Sequence, residues 1–322
     1  ARVHQKLERG RVETLLERVD GAALDDETAA ELSRAWTLML WNGAHDSACG
    51  CSHDQVAADV DARFAEARSI AEDVLRRTSA SPTTENGSRA ETVGTPVELQ
   101  AIDGSVRASG LSLRFLDEPD VGDLYNFCWA NEGQTPAGPD RVDVDGDEFE
   151  AVWDGLRVIG RMTSLGDGPI VLDGAIHNDR PDHRLRLHVQ LPEATDRALA
   201  GAPFELVDRP LVGEGGEIES PSATWPARHT VLASGTGVLH EGVFEYEVVD
   251  GRAIAVTLLR CVGTISRERL ATRPWPAGPG TPTPLAQMIG ETSFRLGLWS
   301  QASTEGLAAV WQRFAGMETK GR

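Results

Sequence analysis

One short stretch holds most of the side chains in this sequence that could do chemistry: Trp41-Asn42-Gly43-Ala44-His45-Asp46-Ser47-Ala48-Cys49-Gly50-Cys51-Ser52. It joins an imidazole, a carboxylate and two thiols, with glycines that let the backbone turn sharply and approach a ligand closely. These are donors that zinc takes, but a zinc site needs three or four of them, and a catalytic one keeps a position open. His45 supplies one. His53, eight residues on, is a possible second donor and equally a solvated residue at the first helical position. A lone histidine in a loop is more often a surface or hydrogen-bonded structural residue, so spacing alone does not make His45 a ligand. Cys49 and Cys51 stand too close in sequence for an unstrained disulfide and read as thiols packed under the turn.

Two helices must position this loop. Upstream, Leu32, Trp36, Met39 and Leu40 recur at helical spacing after the N-capping candidates Asp25 and Asp26. Downstream, Ser52-His53-Asp54-Gln55 has the form of a capping box, and Val56, Val60, Phe64, Ala67, Ile70, Ala71 and Val74 form one stripe. A further helix is expected over Val3 to Val19. None of the 17 prolines precedes Pro82, and only Gly10, Gly21, Gly43 and Gly50 of the 33 glycines fall before residue 80. Residues 1–80 therefore read as a three-helix bundle, and residues 81–95, polar and without period, as a linker.

From residue 96 to 322 the apolar pattern changes to period two. Strands are predicted over Val97–Ile102, Leu111–Leu116, Arg157–Met162, Ile170–Ile176, Arg184–Leu191, Phe244–Val249 and Ala253–Val262. Strict alternation places Leu185, Leu187, Val189 and Leu191 inward; the polar residues His183, Arg184 and Arg186 of this stretch read as a solvent or inter-domain face rather than as substrate contacts. Strands without intervening helices predict an antiparallel β-sandwich, so the fold class is α+β and multidomain. Asp143, Asp145, Gly146 and Asp147 invite a calcium reading, but the glycine falls at the fourth position rather than the sixth of an EF-hand loop. A solvated acidic turn is the expectation there.

The 322 residues carry a net charge of −19, which argues against nucleic acid as a partner. Only Lys6 and Lys320 are lysine among 31 basic residues. No apolar run is long enough to span a membrane, and four cysteines without scaffold density point to a reducing, cytoplasmic setting. The chain begins with Ala rather than Met and reads as a piece of a longer product.

The stretch from Trp41 to Leu75 resembles the helical middle region of the glycoside hydrolase family 38 α-mannosidases. Its bacterial and archaeal branch carries a pattern of the form N-x-x-H-D-S-I-C-G-C-S-x-D-x-V. Phe115 to Phe127 is similar to that family's D-x-G-D-x-Y-N-F stretch, and Asn178 to Arg186 to its N-x-x-x-D-H-R-L-R strand. Glu241–Glu247, Thr257–Arg260 and Pro284–Gly290 look like later landmarks in the same order. The resemblance implies a galactose-mutarotase-like sandwich after the helices, His45 as one ligand of a catalytic zinc ion, and Asp46 and Tyr125 facing a bound mannose. From the residues alone, Tyr125 reads equally as a half-buried strand tyrosine, and Asp123 and Asn126 as turn residues.

The implied reaction is retaining hydrolysis of α-mannosides by two carboxylates about 5 Å apart. In the family the nucleophile, the acid/base and the other zinc ligands come from an N-terminal barrel domain that has no counterpart in residues 1–322, so no catalytic residue is expected in this chain. It is expected to be inactive alone and to work with that domain in cis or trans on an α-mannoside or a smaller mannosyl substrate such as mannosylglycerate. Two further readings stay open, a carbohydrate-binding or scaffolding module and a degenerate gene fragment with a structural role only; a second copy of the chain, in a homo-oligomer, is a further candidate partner.

Overall fold

The computed structural model describes residues 2–19, 24–79, 94–131, 133–166, 168–213 and 215–316. The expected linker lies outside the described residues as far as position 93, as does the polar end from 318. Helix α1 (Val3–Val19) has the predicted bounds. Helix α2 (Asp26–Asn42) is capped by Asp25, whose Oδ1 accepts from the Thr28 N–H at 2.8 Å. Helix α3 (Asp54–Ser79) starts one residue later than the capping-box pattern predicts. The Ala57 N–H donates to His53 O, and the Gln55 N–H donates to His53 Nδ1 at 3.2 Å, so His53 is the N-cap. The Ser52 hydroxyl instead accepts from Arg2, and the Gln55 side chain reaches Asp59.

The three helices share one apolar core. It is built from Val12, Leu16 and Val19 of α1, from Leu32, Ala35, Leu38 and Met39 of α2, and from Val60, Phe64, Ala67, Ala71 and Val74 of α3. Two residues assigned to the inner stripes face outward: Leu40 is 75% exposed and Val56 38%. Both stand at helix ends beside the 43–53 loop, past the last turns that the shared core covers.

The rest of the described chain is one antiparallel sheet followed by helix α4 (Leu307–Gly316). Its strands are β1 (Thr95–Pro96), β2 (Gln100–Ile102), β3 (Ser105–Ala108), β4 (Leu111–Pro119), β5 (Arg141–Asp145), β6 (Glu148–Trp153), β7 (Leu156–Ser164) and β8 (Ile170–Asn178). Then follow β9 (His183–Gln190), β10 (Arg197–Gly201), β11 (Leu206–Pro210), β12 (Trp225–Ala233), β13 (Thr236–Val249), β14 (Ala253–Cys261) and β15 (Gly290–Ser300). The main path runs β2-β3-β4-β9-β14-β13-β15-β8-β7-β6-β5. The sheet curls around one core until its end strands approach, where the Leu99 N–H donates to Gly146 O at 3.0 Å. Gly146, at φ +59, forms the turn between β5 and β6, so the acidic run at 143–147 is a hairpin tip.

Strand β9 departs from the sequence expectation. Leu185, Leu187 and Val189 do face the core, but the opposite face is buried as well. Arg184 Nε donates to Glu118 Oε2 at 2.6 Å, and Arg186 pairs with the other oxygen of the same carboxylate. Glu245 of β13 accepts from Arg184 Nη1 at 3.0 Å, Glu247 pairs with Arg186 Nη1, and Phe127 caps the layer with its ring 3.6 Å from the Arg184 guanidinium carbon. Burial opposes ionisation of Glu245, yet Arg184, Arg260 and the Thr257 hydroxyl hold its carboxyl down to about 2. Period-two polarity marks a second face without saying whether water or a charged partner covers it.

Helix α1 ties helices to sheet. Its second half belongs to the helical core, whereas Val3 and Leu7 join the sheet's core. Between them the backbone of α1 lies directly on β13. A Cβ built on Gly10 would stand 1.4 Å from Glu241 O, and one on Gly242 would stand 2.6 Å from Lys6 O. Arg11 pairs with Glu241 at 2.9 Å, and Glu13 with Arg228 at 2.8 Å, on either side of this contact. Gly10→Ala must lift α1 off the sheet. Urea unfolding should show a loss of about 1–3 kcal/mol, with faster amide exchange in the first half of α1 than in α2.

Candidate functional site

The loop between α2 and α3 is held from beneath by Arg2, which is 1% exposed. Its guanidinium donates to Ser52 O at 2.6 Å, to Gly50 O at 3.2 Å and to Asp54 Oδ1 at 2.6 Å. The loop winds through successive turns, with Gly43 N–H to Leu40 O, Ser47 N–H to Ala44 O and Gly50 N–H to Ser47 O. Asn42 anchors its start by donating to Val60 O at 3.0 Å and accepting from Arg63. These bonds fix the backbone of residues 43–53 while leaving the His45 and Asp46 side chains outside. His45 is 92% exposed and Asp46 55%, with His45 Nε2 at 3.0 Å from Asp46 Oδ2.

Tyr125 arrives from the sheet on the turn that follows β4. Asp120 Oδ1 accepts the N–H groups of Gly122 and Cys128, and its Oδ2 takes Arg260 Nε at 2.7 Å. Gly122 has no room for a side chain, since a Cβ there would stand 1.9 Å from Asn126 O. Asp123 is buried and accepts four bonds: the N–H groups of Tyr125 and Asn126 on Oδ1, and the Arg267 N–H and Arg273 NH2 on Oδ2. Burial works against its charge, but the hydrogen bonds from Arg273 and from the Arg267 and Asn126 N–H groups hold its carboxyl below the usual 3.8. Asp123 and Asn126 are thus turn residues. They leave the Tyr125 ring outside, 38% exposed, with the Arg273 guanidinium 5.9 Å from its centre.

One bond joins the loop to this turn, and a second joins the start of α3 to another. Cys51 Sγ donates to Leu124 O at 3.3 Å, and Asp54 Oδ2 accepts the Leu285 N–H at 3.0 Å from the helical turn Pro284–Gln287. Tyr125 consequently sits beside the loop: burial and the nearby acidic groups of the loop, Asp46 and Cys49 among them, raise its hydroxyl above the usual 10. Cys49 is exposed rather than packed under the turn, whereas Cys51 lies half-buried against Leu124 and Ile265. His53 is an exposed helix cap. The sequence reading passed over Arg2, Arg267, Arg273 and Trp275. Their only signal is arginine or tryptophan in irregular segments, which names no partner until the fold closes.

The donor set bears on the zinc expected from the resemblance. Among the described residues no group of three His, Cys, Asp or Glu side chains is placed to hold a metal ion. His45 and Asp46 fit one corner of a shared site, with an imidazole open to solvent and a carboxylate against it. Three large apolar side chains on the connected segments are uncovered: Trp41 before the loop is 61% exposed, Leu285, whose N–H bonds Asp54, 67%, and Trp275, whose carbonyl accepts from Arg273, 58%.

No family model matches the sequence, and no curated protein matches it. Solved structures do. A glycosyl hydrolase family 38 protein from Enterococcus faecalis aligns with TM-score 0.69 at 17% identity, over 98% of this chain and 58% of its own. An α-mannosidase from Enterococcus faecalis V583 aligns with TM-score 0.69 at 16% identity, over 98% of this chain and 56% of its own. The likeness is one of fold. The chain spans just over half the length of each neighbour.

Asp123→Asn keeps the side chain's shape but leaves Arg273 without its charge partner. A loss of about 3 kcal/mol is expected by urea unfolding at pH 7. The Asp123 carboxylate contributes stability above its unfolded value of 3.8 and loses it as pH falls through the lower folded value. The difference between wild type and variant should therefore shrink below pH 3.8.

Proposed function

We propose that residues 1–322 are the middle and C-terminal part of a zinc-dependent retaining α-mannosidase, inactive alone and completed by a separate catalytic barrel in cis or trans. The observation that carries this reading is the meeting of two distant segments. The Cys51–Leu124 hydrogen bond ties the turn that carries Tyr125 to the loop that carries His45 and Asp46, which supports a common role for the three toward one sugar. The fold shared with the two Enterococcus faecalis proteins, and their greater length, support it. In this reading the helices are the family's three-helix bundle and the curled sheet its mutarotase-like sandwich.

Each side chain has a role set by its chemistry. His45 offers a ring nitrogen to zinc, with the other ligands coming from the barrel. When bound, zinc would hold sugar hydroxyls and favour distortion of the ring toward an oxocarbenium-like transition state. Asp46, beside His45, orients the imidazole and accepts from a sugar hydroxyl. Tyr125 offers both a ring face and a hydroxyl, and its hydroxyl keeps its proton at neutral pH because its surroundings disfavour the phenolate. Exposed Trp41, Leu285 and Trp275 form the apolar ground on which the barrel docks. The substrate class is an α-mannoside, with a small mannosyl compound the narrower form.

Zinc content and hydrolysis of an aryl α-mannoside test this reading, on the chain alone and on the chain joined to the coding sequence upstream of it. Zinc and activity are expected only in the joined form, and His45→Ala should abolish both. A joined form without zinc or activity would defeat the reading. Glycan binding that survives chelator and His45→Ala would transfer the function to a sugar-binding module.

A further inference from the structure

The Cys49-Gly50-Cys51 segment carries two thiols whose sulfur chemistry the glycosidase reading does not use. Gly50 has φ +92, a left-handed conformation that turns the chain back on itself. The Cys51 N–H consequently donates to Cys49 Sγ at 3.4 Å. Cys49 is open to solvent, while Cys51 is half-buried and has a single thiol proton to share between Leu124 O and the Cys49 sulfur. The contact divides the two sulfurs into different roles. Hydrogen bonding from the Cys51 thiol, against some burial and helped by the Cys51 N–H, draws Cys49 down to about 6. The same contact, together with burial, pushes Cys51 up. An exposed thiolate beside a protonated thiol is the arrangement of an attacking and a resolving cysteine.

We propose that Cys49 and Cys51 are a peroxide-sensitive dithiol whose oxidation to a disulfide releases the loop from the Tyr125 turn. The Cys49 thiolate attacks one oxygen of hydrogen peroxide. The O–O bond breaks, hydroxide leaves and is protonated to water, and Cys49 becomes a sulfenic acid. Cys51 gives up its proton and attacks that sulfur. The S–O bond breaks, and a second hydroxide leaves and is protonated. Two thiols and one peroxide thus yield one disulfide and two waters, with two electrons passing from sulfur to oxygen. The disulfide takes the proton that Cys51 donates to Leu124 O, so the bond that joins the loop to the turn is lost. A disulfide across a single intervening residue is strained and correspondingly easy to reduce, which suits a reversible device. The proposal does not depend on the glycosidase reading, because every group in it belongs to this chain.

The test is peroxide treatment of the 322-residue chain at neutral pH, followed by mass spectrometry and amide exchange. The peptide holding Cys49 and Cys51 should lose two hydrogen atoms, while buried Cys128 and Cys261 stay alkylatable after unfolding. Amides of residues 122–128 should exchange faster in the oxidised chain and recover with dithiothreitol. Cys51→Ser should stop at a Cys49 sulfenic acid that dimedone traps. Cys49→Ser should slow peroxide consumption by roughly tenfold or more and abolish the exchange change. Three results would each overturn the proposal: Cys49 still alkylatable after peroxide, Cys128 or Cys261 reacting first, or exchange at 122–128 unchanged by disulfide formation.

Discussion

The close approach of α1 to β13 is the constraint on which the candidate site depends. Gly10 and Gly242 let two backbones meet with no side chain between them, and any Cβ at either position would collide with the opposite main chain. That contact sets the height and tilt of α1. Because α1 shares its second half with the core of α2 and α3, the whole helical unit is carried to a fixed place against the sheet. The 43–53 loop thereby reaches Leu124 and Leu285, which lie 73 and 231 residues along the chain from their partners Cys51 and Asp54.

Buried arginine is the second structural theme. Arg2, Arg184, Arg186, Arg260 and Arg273 are each at most 5% exposed, and every one serves a carboxylate or several carbonyls. A planar guanidinium serves two acceptors at fixed angles, the geometry that Arg184 uses between Glu118 and Glu245. The acidic excess of the chain is thus unevenly placed. Several carboxylates are spent inside, on Arg184, Arg260 and Arg273, and those of Asp120 and Asp123 build the turn that projects Tyr125. Such clusters hold geometry more than they add stability, since desolvation offsets most of the attraction.

The helices were legible because period 3.6, proline absence and the Asp25 cap all act locally. Six of the seven predicted strands were legible, by the alternation that the pleat imposes, whereas the predicted Val97–Ile102 is strand only at 100–102. Three features were hidden, each for a physical reason. The polar face of β9 gives the same pattern whether water or Glu118 covers it. Ser52 and Gln55 fit a capping box until Arg2 takes the serine. Leu40 and Val56 continue their stripes in sequence past the point where the core ends. In the D-x-G-D-x-Y-N-F stretch the motif itself was visible, but not that both aspartates turn inward while Tyr125 faces out. That distinction rests on Arg260, Arg267 and Arg273, more than 130 residues away.

The central claim is that His45 is one corner of a zinc site shared with a second domain. Anomalous diffraction at the zinc edge, from crystals of the chain joined to its upstream coding sequence, tests it most directly. The account predicts a peak at about 2.0–2.1 Å from a His45 ring nitrogen, with Tyr125 on the same side of the cleft. Zinc held wholly by other residues, or a His45 side chain left in solvent in a zinc-loaded crystal, would contradict it.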